Sequence, residues 1–442
     1  MKFLSFKGGI HPPESKELTA TLAIEKAQNP QQVIIPLHQH IGAPCQPTVK
    51  VKDVVKVGQV IGEAQGFVSA PVHASVSGEV KEIGMRSIGG GREAVCVIIE
   101  SDGHFEVDPS IQSPGSAVSM EAKEIIQFIQ KSGIVGMGGA TFPTHVKLSP
   151  PPDKPIDTII LNGAECEPYL TADHRLMLEH AEELVEGLMI VMRSVNAEKG
   201  YIAIENNKPD AITTMLHAVS ETENIHVVSL QTKYPQGAEK QLIDACTGRQ
   251  VPSGGLPMDV GVVVSNVGTV YQIAKSFQTG MPLIDRVTTV TGSCIGDPKN
   301  LLVRVGTPIK DLIEQCGGYK QMPGKLILGG PMMGLAQETD EVPATKGTSG
   351  ILVFDESEAI IPEPVNCIRC GKCIEVCPIH LMPLMISENS LKDRMEEAEG
   401  FHAMDCIECG SCSYICPSYR PLVQSIRVAK NSIIAKRRKE QK

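Results

Sequence analysis

Two cysteine runs near the C-terminus constrain this chain more than any other feature. Cys367-Ile368-Arg369-Cys370-Gly371-Lys372-Cys373-Ile374-Glu375-Val376-Cys377-Pro378 and Cys406-Ile407-Glu408-Cys409-Gly410-Ser411-Cys412-Ser413-Tyr414-Ile415-Cys416-Pro417 share the spacing C-x2-C-x2-C-x3-C-P. A loop this tight wraps three thiolates around one face of an iron–sulfur cubane, and its fourth cysteine turns away to serve the other cluster. That rule assigns Cys367, Cys370, Cys373 and Cys416 to one 4Fe–4S cluster, and Cys406, Cys409, Cys412 and Cys377 to a second. Gly371 and Gly410 let the backbone approach the metal, and Pro378 and Pro417 end the loops. Zinc sites take four ligands, commonly as two pairs, so two matching four-cysteine runs fit zinc poorly. The expected chemistry is single-electron transfer.

The other cysteines, Cys45, Cys96, Cys166, Cys246, Cys294 and Cys316, are scattered and read as small core residues. Fourteen cysteines in a reducing compartment are not a disulfide framework. That compartment is inferred from two features. No apolar run approaches the roughly 18 residues of a membrane span, and the opening Met1-Lys2-Phe3-Leu4-Ser5-Phe6-Lys7-Gly8 has no apolar signal core. The chain is expected in the cytoplasm or, as a peripheral protein, on the cytoplasmic face of the cell membrane. A net charge of −10 with no evident basic face argues against nucleic-acid binding. At 442 residues the chain should divide into three or four domains.

The expected fold class is multidomain α/β. Residues 33–105 are rich in Val, Gly and Pro, with short alternating runs such as Val49-Lys50-Val51-Lys52-Asp53-Val54-Val55. They read as a lipoyl-like sandwich barrel after an N-terminal segment, 1–32. Lipoyl and biotinyl carriers hold a modified lysine on an exposed hairpin, and no lysine lies between Lys56 and Lys81. The barrel is therefore expected to be structural.

Residues 116–280 alternate helix and strand: helix 121–131, strand 156–161, a long helix 173–195, strand 201–204, helix 209–219, strand 225–230, helix 236–246, strand 260–265 and helix 267–277. Such alternation implies a mostly parallel sheet covered by helices, with ligands at the carboxyl ends of its strands. Residues 284–350 form a small α+β unit. Residues 360–424 form a two-cluster ferredoxin-like α domain, and 425–442 a basic tail read as a solvated, disordered end.

Four loops in the α/β domain carry candidate binding residues. Gly133-Ile134-Val135-Gly136-Met137-Gly138-Gly139-Ala140-Thr141-Phe142-Pro143-Thr144-His145-Val146-Lys147 can crowd backbone amides around an anion or a flat ring. Its spacing is not the G-x-G-x-x-G of a dinucleotide fold. Asn162-Gly163-Ala164-Glu165-Cys166-Glu167-Pro168 places two carboxylates after a buried strand. Tyr234-Pro235-Gln236-Gly237-Ala238-Glu239 and Ser265-Asn266-Val267-Gly268-Thr269 are the others. All four are expected at one end of the sheet.

The glycine loop, the N-x-x-E-x-E-P segment, Y-x-x-G-x-E and S-N-V-x-T, in this order, resemble the FMN- and NADH-binding subunit of respiratory complex I. The α+β unit resembles that family's soluble-ligand-binding-like domain, of β-grasp type. Over nearly the whole length, from Phe6-Lys7-Gly8-Gly9-Ile10-His11-Pro12-Pro13 through both cysteine runs, the chain resembles the C subunits of Rnf electron transport complexes. The resemblance implies FMN contacted by Gly136, Gly138, Gly139, Lys147, Asn162, Glu165, Tyr234, Gly237, Asn266 and Thr269. It implies NAD(H) stacked above, with Phe142 against the adenine and Glu167 and Glu239 at the nicotinamide end. Met137 stands where the complex I pattern has Arg, and Ala164 where it has Asp. The implied role is a peripheral subunit of an ion-translocating NADH:ferredoxin-type oxidoreductase. Its partners would be NAD(H), the membrane subunits of the same complex and, indirectly, ferredoxin. Two other readings stay open: a soluble NADH dehydrogenase or hydrogenase-type subunit, and a cluster-carrying relay without NADH activity.

Overall fold

Strong apolar runs at 158–163, 199–205, 225–230 and 262–266 pair into a four-stranded sheet that is parallel throughout. The strand order is Ile225–Leu230, Lys199–Glu205, Thr158–Gly163, Val262–Asn266. This computed structural model describes residues 3–440. Alternation sends Ile159 and Leu161 to one face and Ile160 to the other. The first face packs on the helices Ala122–Lys131, Ala181–Val195 and Val267–Thr279, and the second on Glu239–Thr247 through Leu242 and Ile243. The chain builds the sheet outward from Thr158–Gly163 on one side and then returns to its other side. That reversal is a topological switch point, and ligands of such sheets bind in the crevice beyond the carboxyl ends of the strands that flank it, here Thr158–Gly163 and Val262–Asn266.

Two helix expectations need correction. The long helix 173–195 is broken into Ala172–Glu179 and Ala181–Val195. His180 leaves helical geometry (φ −135°, ψ 40°), and its Nδ1 lies 3.1 Å from Glu183 Oε1 in the first turn of the second helix. The helix expected from 236 starts at Glu239, because Ala238 is extended.

The N-terminal barrel is two small sheets around Val33, Ile35, Val55, Ile61, Val72 and Val97. The hairpin where a carrier lysine would sit instead rests on the α/β domain, with His145 Nε2 3.1 Å from the Phe67 carbonyl. The α+β unit is a six-stranded sheet that reaches past the expected boundaries on both sides. Gly350–Asp355 lies in its middle, and Ile24–Lys26 of the N-terminal segment adds a parallel edge strand. At the C-terminus, Leu422–Glu440 is a helix packed on Pro383–Leu391 through Ile386, Ile426, Ala429 and Ile433. The basic tail is thus helical through Glu440. Its expected disorder fails because the tail continues a helix anchored by buried Ile426, Ala429 and Ile433, with Lys436 and Arg437 pairing at the surface with Glu396 and Glu399 of a neighbouring helix. Residues 441 and 442 lie outside the described residues.

Candidate functional site

The four candidate loops meet at the crevice. Asn162 and Asn266 are register partners at the ends of adjacent strands. The Asn162 side chain donates to the Gly237 carbonyl (2.8 Å), tying the second loop to the third. Asn266 caps the helix Val267–Thr279 by accepting from the Gly268 amide (2.9 Å) and donates to Asp173 (2.6 Å). Thr269 Oγ1 accepts from the Met137 amide (2.9 Å), fastening the glycine loop. The loop closes on itself where the Gly136 amide donates to the Phe142 carbonyl (2.9 Å). A Cβ on Gly138 would fall 2.8 Å from the Asn266 side chain, whereas one on Gly139 would meet nothing within 4 Å. Gly139 therefore faces the open side, beside half-buried Phe142. Lys147 Nζ donates to Glu239 (2.6 Å) and to the Val264 carbonyl (2.7 Å), so a partly exposed ion pair borders the crevice.

The acidic loop is held from below. Both Glu165 oxygens accept backbone amides at the start of the helix Ala172–Glu179, from Asp173 (2.7 Å) and His174 (3.2 Å). Both Glu167 oxygens accept the amides of Met332 (3.0 Å) and Met333 (2.9 Å) in a loop of the α+β unit. Burial pushes each carboxyl up to about 7; Lys16 opposes this at Glu165, and the two amides oppose it at Glu167. The resemblance places Glu165 at FMN and Glu167 at the nicotinamide, but the structure commits their carboxylates to backbone amides. No motif in the sequence points to Lys16. Its buried ammonium donates to the carbonyls of Glu165 (2.9 Å), Glu167 (3.0 Å) and Leu170. Lys208 likewise donates to the Ala164 carbonyl (2.7 Å), with Glu205 beside it. Buried Arg286 reaches the Met137 carbonyl (3.4 Å), putting a cation behind the position where the complex I pattern carries Arg. No sequence motif marked these three cations; each comes from a segment remote from the loop it serves.

The two cysteine runs adopt the same conformation. Left-handed residues recur at equivalent places, Arg369, Gly371 and His380 in the first and Glu408, Gly410 and Tyr419 in the second, with φ of +80° at both glycines. The Arg369 amide donates to Cys367 Sγ and the Glu408 amide to Cys406 Sγ, each at 3.4 Å. Burial raises the Cys373 thiol, with Cys416 and Cys367 near enough to add to the effect. Burial also raises Cys406, to about 11, with Cys409 and Cys377 adding. In each case the fourth cysteine of the opposite run is among the groups that raise the thiol. Among the described residues no three His, Cys, Asp or Glu side chains converge on a point where a single metal ion would be held. The two sets differ in burial: Cys377, Cys409 and Cys412 are buried, whereas Cys367 and Cys370 are exposed.

The buried set faces the crevice domain. Tyr234 OH donates to the Cys409 carbonyl (2.8 Å), and Gln241 to that of Pro378 (3.1 Å). The Gly9 amide of the N-terminal segment donates to the Val376 carbonyl (2.9 Å). Ile10, Tyr234 and Cys409 form one apolar cluster with Cys166 and Met332. Tyr234, which the resemblance places at the flavin, directs its hydroxyl to the cysteine loop.

Comparison with known proteins accounts for each unit. Residues 4–104 match the RnfC barrel sandwich hybrid domain, 129–275 the Nuo51 FMN-binding domain, 287–336 the SLBB domain and 359–417 a 4Fe–4S dicluster domain. The chain is 56% identical to the C subunit of the Na+-translocating ferredoxin:NAD+ oxidoreductase complex of Acetobacterium woodii, over 99% of each chain. It is 52% identical to the proton-translocating counterpart of Clostridium ljungdahlii, over 97% of this chain and 93% of that one. The chain belongs to the RnfC family. Its fold is also similar to a chain of NAD+-reducing NiFe-hydrogenase in the air-oxidised state, with a TM-score of 0.51 at 18% identity over 73% of this chain and 62% of that one. At that identity the likeness concerns fold alone.

The residues fit the cofactors these domains carry. The backbone at Gly139 is open, with nothing within 4 Å of where a Cβ would stand, and Lys147 supplies a partly exposed cation on the adjoining loops. Two identically folded cysteine loops with this spacing suit a pair of cubanes. No helix among the described residues is long and apolar enough to cross a membrane.

Proposed function

We propose that this chain exchanges electrons between NAD(H) and the redox partners of an ion-translocating ferredoxin:NAD+ oxidoreductase complex. FMN supplies conversion between a hydride and single electrons, and the two 4Fe–4S clusters supply one-electron carriage. The protein's part is alignment. Gly136, Gly138 and Gly139 would present backbone to FMN and Lys147 would meet its phosphate, while Asn162, Gly237, Asn266 and Thr269 fix the surrounding loops. Phe142 would offer a ring to the adenine, and Glu239, now bonded to Lys147, would hold the nicotinamide end. Glu165 and Glu167 act from behind, each holding a neighbouring backbone segment. The observation that carries this reading is the single interface shared by the crevice and the buried cysteine set, closed by the Tyr234–Cys409 hydrogen bond.

The exposed set, with Cys367 and Cys370, is the exit. Ile360, Ile361, Val365 and Ile368 stand 56–73% exposed around it, an apolar lip suited to a partner subunit of the complex. Ion movement belongs to those partners, and the chain sits on the cytoplasmic face as a peripheral subunit. The test is the purified chain with reconstituted clusters and FMN, given NADH and an artificial one-electron acceptor. NADH oxidation is expected; a fully loaded preparation inert to NADH refutes the reading.

A further inference from the structure

We propose that Tyr234 is a positioning residue for internal electron transfer, its hydroxyl holding the buried cysteine loop against the flavin crevice through the Cys409 carbonyl. The inference rests on the function proposed above and adds a residue to it. Tyr234 is 1% exposed, and its one polar atom is spent on Cys409 at 2.8 Å. Its backbone is held on the other side: the Ile10 amide donates to the Tyr234 carbonyl (2.8 Å), and the Tyr234 amide to the Ile10 carbonyl (2.9 Å).

Three residues along the chain, Gly237 touches the crevice. Its carbonyl accepts from Asn162 and its amide donates to Cys166 Sγ at 3.3 Å. One short loop therefore contacts the crevice with Gly237 and the cysteine loop with Tyr234. Only glycine fits where the N-terminal strap backs it. A Cβ on Gly9 (φ +83°) would lie 2.7 Å from the Tyr234 carbonyl, and one on Gly8 (φ +89°) 2.9 Å from the Cys377 carbonyl. A buried tyrosine whose hydroxyl reaches one carbonyl of a cysteine loop fixes that loop's distance and polarity, and hydrogen bonding around the sulfurs tunes such clusters. The tyrosine O–H bond stays intact: Tyr234 neither gains nor loses an electron or a proton.

The test compares wild type with Tyr234→Phe, both with clusters and FMN restored. Each is mixed anaerobically with NADH, with flavin bleaching followed optically and cluster reduction by freeze-quench EPR. Dithionite-reduced samples supply the EPR line shapes of both clusters. Tyr234→Phe is expected to keep iron and FMN and to bleach its flavin as wild type does. Its clusters should reduce about fivefold more slowly, the population change expected from one lost hydrogen bond. One of the two cluster signals should change shape and the other stay fixed. Wild-type cluster kinetics with both signals unchanged would overturn the proposal. So would loss of FMN, which would return Tyr234 to the flavin. Should Tyr234→Phe fail to fold, Gly9→Ala pushes on the same carbonyl and should alter the same signal; an unaltered signal there overturns it equally. A wild-type chain that NADH cannot bleach sinks the function reading instead, while the dithionite spectra still report on Tyr234.

Discussion

Lys16→Met should detach the acidic loop from beneath the crevice. Methionine keeps an unbranched stem of similar length, so the packing of the side chain largely survives. What goes is the ammonium, which donates to the carbonyls of Glu165, Glu167 and Leu170 and lies 4.0 Å from the Glu165 carboxylate. A buried carbonyl left without a donor costs about 1–3 kcal/mol, so three would sum to several kcal/mol. Relief from burying a charge offsets part of this, and removing one partner from a buried charged cluster typically nets about 3–5 kcal/mol. That corresponds to at least a hundredfold rise in opening of segment 162–171. Hydrogen exchange resolved to peptides should show the rise there and in the Met332–Met333 loop that Glu167 holds, with the barrel unchanged. FMN retention on gel filtration should fall with it. Wild-type exchange in segment 162–171 would refute the claim that Lys16 supports this loop.

Gly139→Ala should fold with wild-type stability, since its Cβ meets nothing within 4 Å, yet lose FMN affinity measured by fluorescence titration. Lys147→Met breaks an ion pair about one-third exposed on each side, itself worth less than about 1 kcal/mol, and takes the donor from the Val264 carbonyl, so stability should fall by about 1–3 kcal/mol in urea titration while FMN affinity drops at least tenfold. Glu167 titrates from an ordinary 4.5 up to about 7 in the fold because burial favours its neutral form. The folded chain then binds that proton more tightly than the unfolded one, so stability falls as pH rises from about 4.5 to about 7. Glu165 adds a slope of the same sign, and the urea midpoint of Glu167→Gln should therefore show a shallower fall than wild type. Cys370→Ser should lose one cluster by iron analysis and leave the signal of the buried cluster, because the exposed set stands apart from the crevice interface.

The sheet, the glycine loop and the repeated cysteine loop were legible because local pattern determines them. Parallel strands read as apolar runs, and cluster loops need fixed spacing. What escaped was set by tertiary contact. Nothing in Glu-Ser-Lys-Glu marks Lys16 as buried, since its three acceptors lie about 150 residues away. The apolar face from Leu176 to Met192 continues across the break at His180, so periodicity alone read two helices as one. Glu167 and Tyr234 sit in the motifs that resemble complex I, yet a motif fixes residue type and order, whereas the loops packed behind it decide where a side chain turns. The Met332–Met333 amides claim the first and the Cys409 carbonyl the second.

EPR of the isolated chain, loaded with FMN and about eight irons and reduced anaerobically by NADH alone, tests the wiring most directly. Paramagnetic reduced cubanes are expected in the same sample whose flavin has bleached. Bleached flavin beside clusters that stay silent until dithionite is added, or zinc in place of iron at the cysteines, would contradict it.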